Sequence, residues 1–108
     1  MIYEVKLNED AEQDLREIYR YIALSLLEPE IASNINCRIV AKLMSLNHTP
    51  ERYPIYQVEP WKSRKLRRIN IGNYSGFYYL TENAVEVIRI LYGGRNISTI
   101  LNESTKTE

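Results

Sequence analysis

The residues best suited to chemistry in this chain are cations. Lys62-Ser63-Arg64-Lys65-Leu66-Arg67-Arg68 places five cations in seven residues, led in by Trp61. On a strand, Arg68 and Asn70 would face one side while Arg67 joins Ile69 and Ile71 on the other. A strand holds an arginine rigidly, and its planar fork binds phosphate oxygens in pairs. Lysine and arginine also guard edge strands against edge-to-edge association, so the run reads evenly as an anion clamp or as a protected edge. Tyrosine is the second signal, with nine in the chain. Tyr74, Tyr78, Tyr79 and Tyr92 fall in the same half as the basic run, and rings interleaved with cations can stack on nucleic-acid bases. A single strand tyrosine more often packs on its own sheet. Tyr92-Gly93-Gly94-Arg95 supplies a turn whose glycines permit close backbone approach, with Arg95 at the start of a terminal helix. His48, the only histidine, sits at a helix end and reads as a cap. Cys37, between Ile35 and Ile39, reads as a buried or half-buried thiol. No Ser-His-Asp set, phosphate-binding glycine loop or metal-ligand spacing occurs, so neither metal nor cofactor is expected.

The elements that must position these residues follow from periodicity. Ile2 to Leu7 alternates as a short strand with Tyr3, Val5 and Leu7 on one face. Asn8 suits an N-cap, and Glu9 and Asp10 suit the positive end of a helix dipole. Ala11, Leu15, Ile18, Ile22 and Leu26 form one helical stripe. Pro29 breaks it and opens a second helix, whose stripe is Ile31, Ile35, Ile39, Leu43 and Leu46. The short connection predicts an antiparallel hairpin. Residues 48–63 hold three of the four prolines and read as an ordered loop anchored by Tyr53, Ile55, Tyr56, Val58 and Trp61. Three strands follow, over residues 66–71, 74–80 and 84–92, the last apolar enough to be central. Ile97, Ile100 and Leu101 suit a short helix. The order is β-α-α-β-β-β-α, an α+β domain over residues 1–101 with a frayed tail over 102–108.

Length and composition bound the function. The 108 residues, 44% hydrophobic and 26% charged, fit one folded domain. One cysteine excludes an intramolecular disulfide framework, which suits a reducing, cytoplasmic setting. No apolar run approaches the ~18 residues of a membrane span, so no membrane partner is expected. The zero net charge hides a split: residues 1–30 carry eight acids and three bases, and residues 31–95 carry ten bases and four acids. The contrast fits either two solvated faces or a bipolar molecule with a polyanionic or acidic partner.

Leu66-Arg67-Arg68-Ile69-Asn70-Ile71-Gly72-Asn73-Tyr74, then Phe77-Tyr78, then Val87-Ile88-Arg89-Ile90-Leu91-Tyr92-Gly93-Gly94-Arg95-Asn96-Ile97 resembles the RelE/ParE family of toxins from bacterial type II toxin–antitoxin systems. Ala11, Asp14-Leu15, Ile18-Tyr19, Tyr21-Ile22, Pro29, Ala32, Pro50, Arg52-Tyr53-Pro54 and Trp61 extend the likeness to nearly the whole chain, closest to the ParE-like branch. The resemblance implies a helical hairpin on one face of a mostly antiparallel four-stranded sheet, and a cognate antitoxin that masks the toxin. It implies one of two targets, DNA gyrase (ParE-type) or ribosome-bound mRNA, which RelE-type endoribonucleases cut. For the second, Arg95 matches the family arginine after the central strand, and Arg68, or Arg67 one register away, falls where a strand lysine stands. Tyr92 stands where many relatives carry histidine, and Tyr92 or Lys65 would move the proton. Ser75 replaces the strand-three arginine, Leu101 lies near the missing stacking tyrosine, and Asn96 stands where aspartate is common. Trp61, Lys62, Arg64, Lys65, Arg67 and Tyr74 are the candidate contacts to target or RNA. A third reading is a non-toxic relative kept as a binding partner.

Overall fold

The computed structural model describes residues 2–93 and 97–105. Strand β1 (Glu4–Leu7) leads into helix α1 (Glu9–Arg20), a π-helical turn (Tyr21–Ser25) and helix α2 (Pro29–Met44). Strands β2 (Arg67–Ile71), β3 (Tyr74–Leu80) and β4 (Ala84–Tyr92) follow, then helix α3 (Ile97–Thr105). The sheet order is β1-β4-β3-β2, with β1 parallel to β4 and the other pairs antiparallel. This is the α+β arrangement the sequence calls for, with the apolar β4 inside.

Local chemistry sets the element ends. The Asn8 side chain accepts from Ala11 N at 2.9 Å, capping α1, and Pro29 occupies the first turn of α2. Gly72, at φ +61°, takes the first central position of the two-residue turn joining β2 to β3, a site that favours glycine. Tyr56 N donates to Leu66 O and Arg68 N to Pro54 O, so the preceding loop already pairs the outer edge of β2 at its start.

Both faces of the sheet are covered. Ala11, Ile39, Leu43 and Leu46 of the helical layer pack on Ile69, Ile71, Tyr78, Val85, Val87 and Ile90. The close approach is possible because residue 76 is glycine: a Cβ there would lie 3.0 Å from Leu43 Cδ2. On the opposite face Trp61 and Leu66 join Phe77, Leu91, Ile97 and Leu101. The loop and α3 thus build a second core that periodicity does not reveal, because residues 54–66 have no period.

Two expectations need correction. The α1 stripe does not run on to Leu26: each hydrogen bond of the π-helical turn spans one extra residue, which shifts the stripe out of phase, and Leu26 emerges 51% exposed. Leu27 closes that turn at φ +56°, in the left-handed region, and is 77% exposed. Cys37 is exposed rather than buried, because it sits a third of a turn or more from the Ile35–Ile39 stripe. Helix α3 runs from Ile97 to Thr105.

Candidate functional site

At the connected end of the hairpin, the last turns of α1, the π-helical turn and the start of α2 leave a groove of about 710 Å³ against the sheet. Ile18, Tyr21, Ile22 and Leu26 line one wall, Ile31 and Ile35 another, and Tyr74, Ile90 and Tyr92 the sheet side. The π-helical turn leaves Leu26, the last residue of the α1 stripe, 51% exposed at its edge, beside Tyr21 and Ile31 at 59% and 47%. Among the lining residues the charged groups are Asp14 and Glu17.

Asp14 forms the floor. Its carboxylate accepts from Arg89 Nε at 2.8 Å and Nη2 at 2.9 Å, and from the Ile90 N–H at 2.8 Å. β1 pairs with β4 only through Val87, and Asn8 N closes that ladder on Val87 O. Beyond that point Asp14 takes over as acceptor for the strand. A bulge in β4 between the partners of Phe77 and Tyr78 turns Arg89 toward α1. The hydrogen bonds that Arg89 donates to Asp14 raise its pKa above the usual range, against the opposing pull of burial.

The rings of Tyr74 and Tyr92, edge to face at 5.8 Å, divide this groove from a polar cup of about 240 Å³. Arg68, Asn70, Asn73 and Ser75 line the cup. Arg68 Nε donates to Ser75 Oγ at 3.0 Å and Asn70 Oδ1 at 3.2 Å, and Ser75 Oγ donates to Asn70 Oδ1. The Arg68 guanidinium lies 5.7 Å from the Phe77 ring centre. Backbone alternation puts these side chains together, since Asn70 faces Ser75 across the β2–β3 pair. The cup thus sets one guanidinium among neutral polar side chains. Burial, reinforced by Tyr92 and Tyr21, pushes the Tyr74 hydroxyl above its ordinary value, away from a general base.

Residues 5–97 match the family described as "ParE toxin of type II toxin-antitoxin system, parDE". The chain belongs to the ParE toxin family. Solved structures share its fold. The "Chromosomal ParDE TA system from P. aeruginosa" superposes at TM-score 0.68 and 20% identity, over 84% of this chain and 96% of that one. A mutant of the E. coli toxin RelE in the free state gives TM-score 0.64 at 17% identity, over 99% of this chain and 98% of that one. The toxin–antitoxin complex RelBE2 from Mycobacterium tuberculosis gives TM-score 0.59 at 18% identity, over 85% and 99%. No curated protein matches the chain significantly in sequence.

In this ParE-family toxin the sequence-derived candidates scatter. Arg68, Tyr74 and Tyr92 meet at the junction of cup and groove. Arg67 faces the other way, its Nη1 donating to Tyr53 O at 2.6 Å and Glu51 O at 2.9 Å, which pins the loop. Trp61 is 2% exposed and packs in the second core, so its ring reaches no surface. Lys62, Arg64 and Lys65 are exposed on the turn before β2 and line neither cup nor groove. Arg95 lies outside the described residues. The sequence reading missed Asp14 paired with Arg89. Its signal was there: a charged residue on the apolar stripe of α1, and an arginine in the central strand.

Proposed function

We propose that this ParE-family toxin arrests growth by gripping a protein target of the DNA gyrase type, and that a cognate antitoxin silences it by filling the same groove. The apolar groove beside Tyr74 and Tyr92 carries this reading: exposed Tyr21, Leu26 and Ile31 form a surface that water does not favour and a protein segment does. The relatives described as toxin–antitoxin complexes support an antitoxin as partner. The setting is the cytoplasm, and among the described residues no helix is long and apolar enough to cross a membrane.

A ribosome-dependent endoribonuclease is the second reading, favoured by the cup. Arg68, fixed on Ser75 and Asn70, would hold a phosphate beside Tyr92, with Arg95 in support. Cutting RNA through the 2′-hydroxyl needs a base and an acid. The cup lining offers neither histidine nor carboxylate. Ribosomal positioning would have to supply most of the rate, since orientation can lower a barrier by about 7–11 kcal/mol.

Inducing the chain in cells while following plasmid supercoiling and mRNA 5′ ends separates the readings. Loss of negative supercoiling with unchanged 5′ ends is the expected result, reversed by co-expression of a cognate antitoxin. New codon-phased 5′ ends with normal supercoiling would overturn the gyrase reading. No effect on growth would favour the non-toxic relative.

A further inference from the structure

The hairpin has a second concavity, of about 450 Å³, whose lining comes only from helical residues. Leu15 and Tyr19 of α1, Leu24 of the π-helical turn and Val40 of α2 form its apolar floor. Tyr19, Leu24 and Val40 are 39%, 67% and 37% exposed, at helix positions where solvent contact ordinarily selects polar side chains. Met44, one turn beyond Val40, extends the apolar strip at 45% exposure.

Charge sorts along the two flanks of α1. This outer groove is lined by two guanidinium groups, Arg16 and Arg20, and no carboxylate. The inner groove carries Asp14 and Glu17 and no cation. Arg16 donates to Gln13 Oε1 at 2.8 Å, and among the described residues neither arginine is in an ion pair. The amide oxygen of Asn36, on the groove wall, is buried without a hydrogen-bond partner. A turn about its broad last torsion offers that oxygen to an incoming donor.

We propose that this outer groove docks an acidic amphipathic helix of a partner protein. A trough between two packed helices accepts a third by the same ridge-and-groove geometry. Apolar side chains of the incoming helix cover Tyr19 and Val40, while its carboxylates meet Arg16 and Arg20. A second copy of this chain does not fit. The face that carries Tyr19 and Val40 is itself basic, so two copies meeting there would set arginines against arginines. The site is separate from the inner groove, and the inference stands whichever target that groove grips.

Two fluorescent helical peptides of about 14 residues test it by anisotropy on the full chain. They share leucines at positions one and two turns apart and differ only in carrying glutamate or lysine at the flanking positions. The glutamate peptide should bind at least about tenfold more tightly than the lysine peptide, and added salt should weaken it. Reversing the rim with Arg16→Glu and Arg20→Glu should invert that preference, and Val40→Asp should weaken both peptides. Ile31→Glu, in the inner groove, should leave binding unchanged, with circular dichroism confirming the fold of each variant. Equal affinity for the two peptides, binding of neither, or loss on Ile31→Glu but not on Val40→Asp would overturn the proposal. Displacement of the glutamate peptide by a short single-stranded oligonucleotide at equal concentration would also overturn it, by making the rim a phosphate site.

Discussion

Replacing Asp14 by alanine removes two hydrogen bonds from the Arg89 guanidinium and one from the Ile90 N–H together, because one carboxylate serves both. Breaking a buried pair from one side costs about 3–5 kcal/mol; with the Arg89 side chain 19% exposed, about 3 kcal/mol is expected. A urea midpoint measures it, and Asp14→Leu with Arg89→Met should recover most of the loss. Tyr78 makes a second residue-scale prediction. Its hydroxyl is buried, donates to Pro50 O at 2.6 Å, and is held well above the usual tyrosine range by that burial. A raised folded value means the neutral hydroxyl's stabilisation is complete below about pH 10, the unfolded value, and is lost as pH climbs above it. Tyr74 shifts in the same direction. Tyr78→Phe should cost about 1–2 kcal/mol near neutrality and flatten the alkaline loss of stability, followed by unfolding midpoints from about pH 8 to 11. At this scale the sequence revealed what alternation controls. Arg68, Tyr74 and Tyr92 were singled out because strand period places their side chains. Asp14 and Arg89 lie 75 positions apart, and no local pattern couples them. Trp61 looked like a contact because it leads a basic run, but its burial comes from a second core that only the folded loop creates.

The strands were legible because β-branched and aromatic runs end at glycines and polar turns, and the hairpin because two apolar stripes flank Pro29. The π-helical turn was not. Ala11, Leu15, Ile18, Ile22 and Leu26 keep helical spacing without glycine or proline, so nothing in the pattern announces that the last of them is rotated outward. Leu27 records the cost: a bulky, exposed side chain held at φ +56°, where helix-ending sites favour glycine. Left-handed strain in an L-residue is about 1–2 kcal/mol, and glycine's extra unfolded entropy returns about 0.5–1. Leu27→Gly should therefore raise stability by roughly 0.5–1 kcal/mol while removing an exposed leucine beside the inner groove. Thermal unfolding together with antitoxin affinity checks both halves: a more stable variant that binds more weakly supports a turn kept for binding. A less stable one would mean Leu27 packs for structure after all.

Over the whole molecule, the acidic first third and basic remainder of the sequence resolve into something finer than two poles. α1 carries carboxylates toward the inner groove and guanidinium groups toward the outer one, and the exposed cations Lys62, Arg64 and Lys65 sit apart on the turn before β2. The ParE-family fold thus presents an apolar groove with a small polar cup, lined by Arg68, at its end. The central claim is that this groove binds a gyrase-type protein. Inhibition of purified DNA gyrase supercoiling, titrated with the wild-type chain and with Ile31→Glu, tests it most directly. Ile31 is 47% exposed, so the substitution should leave the fold intact by circular dichroism. The account predicts inhibition by the wild type and at least about a tenfold weaker effect, near 1.4 kcal/mol, for the variant. A wild-type chain that leaves gyrase untouched, or a variant that inhibits it equally well, would contradict the claim.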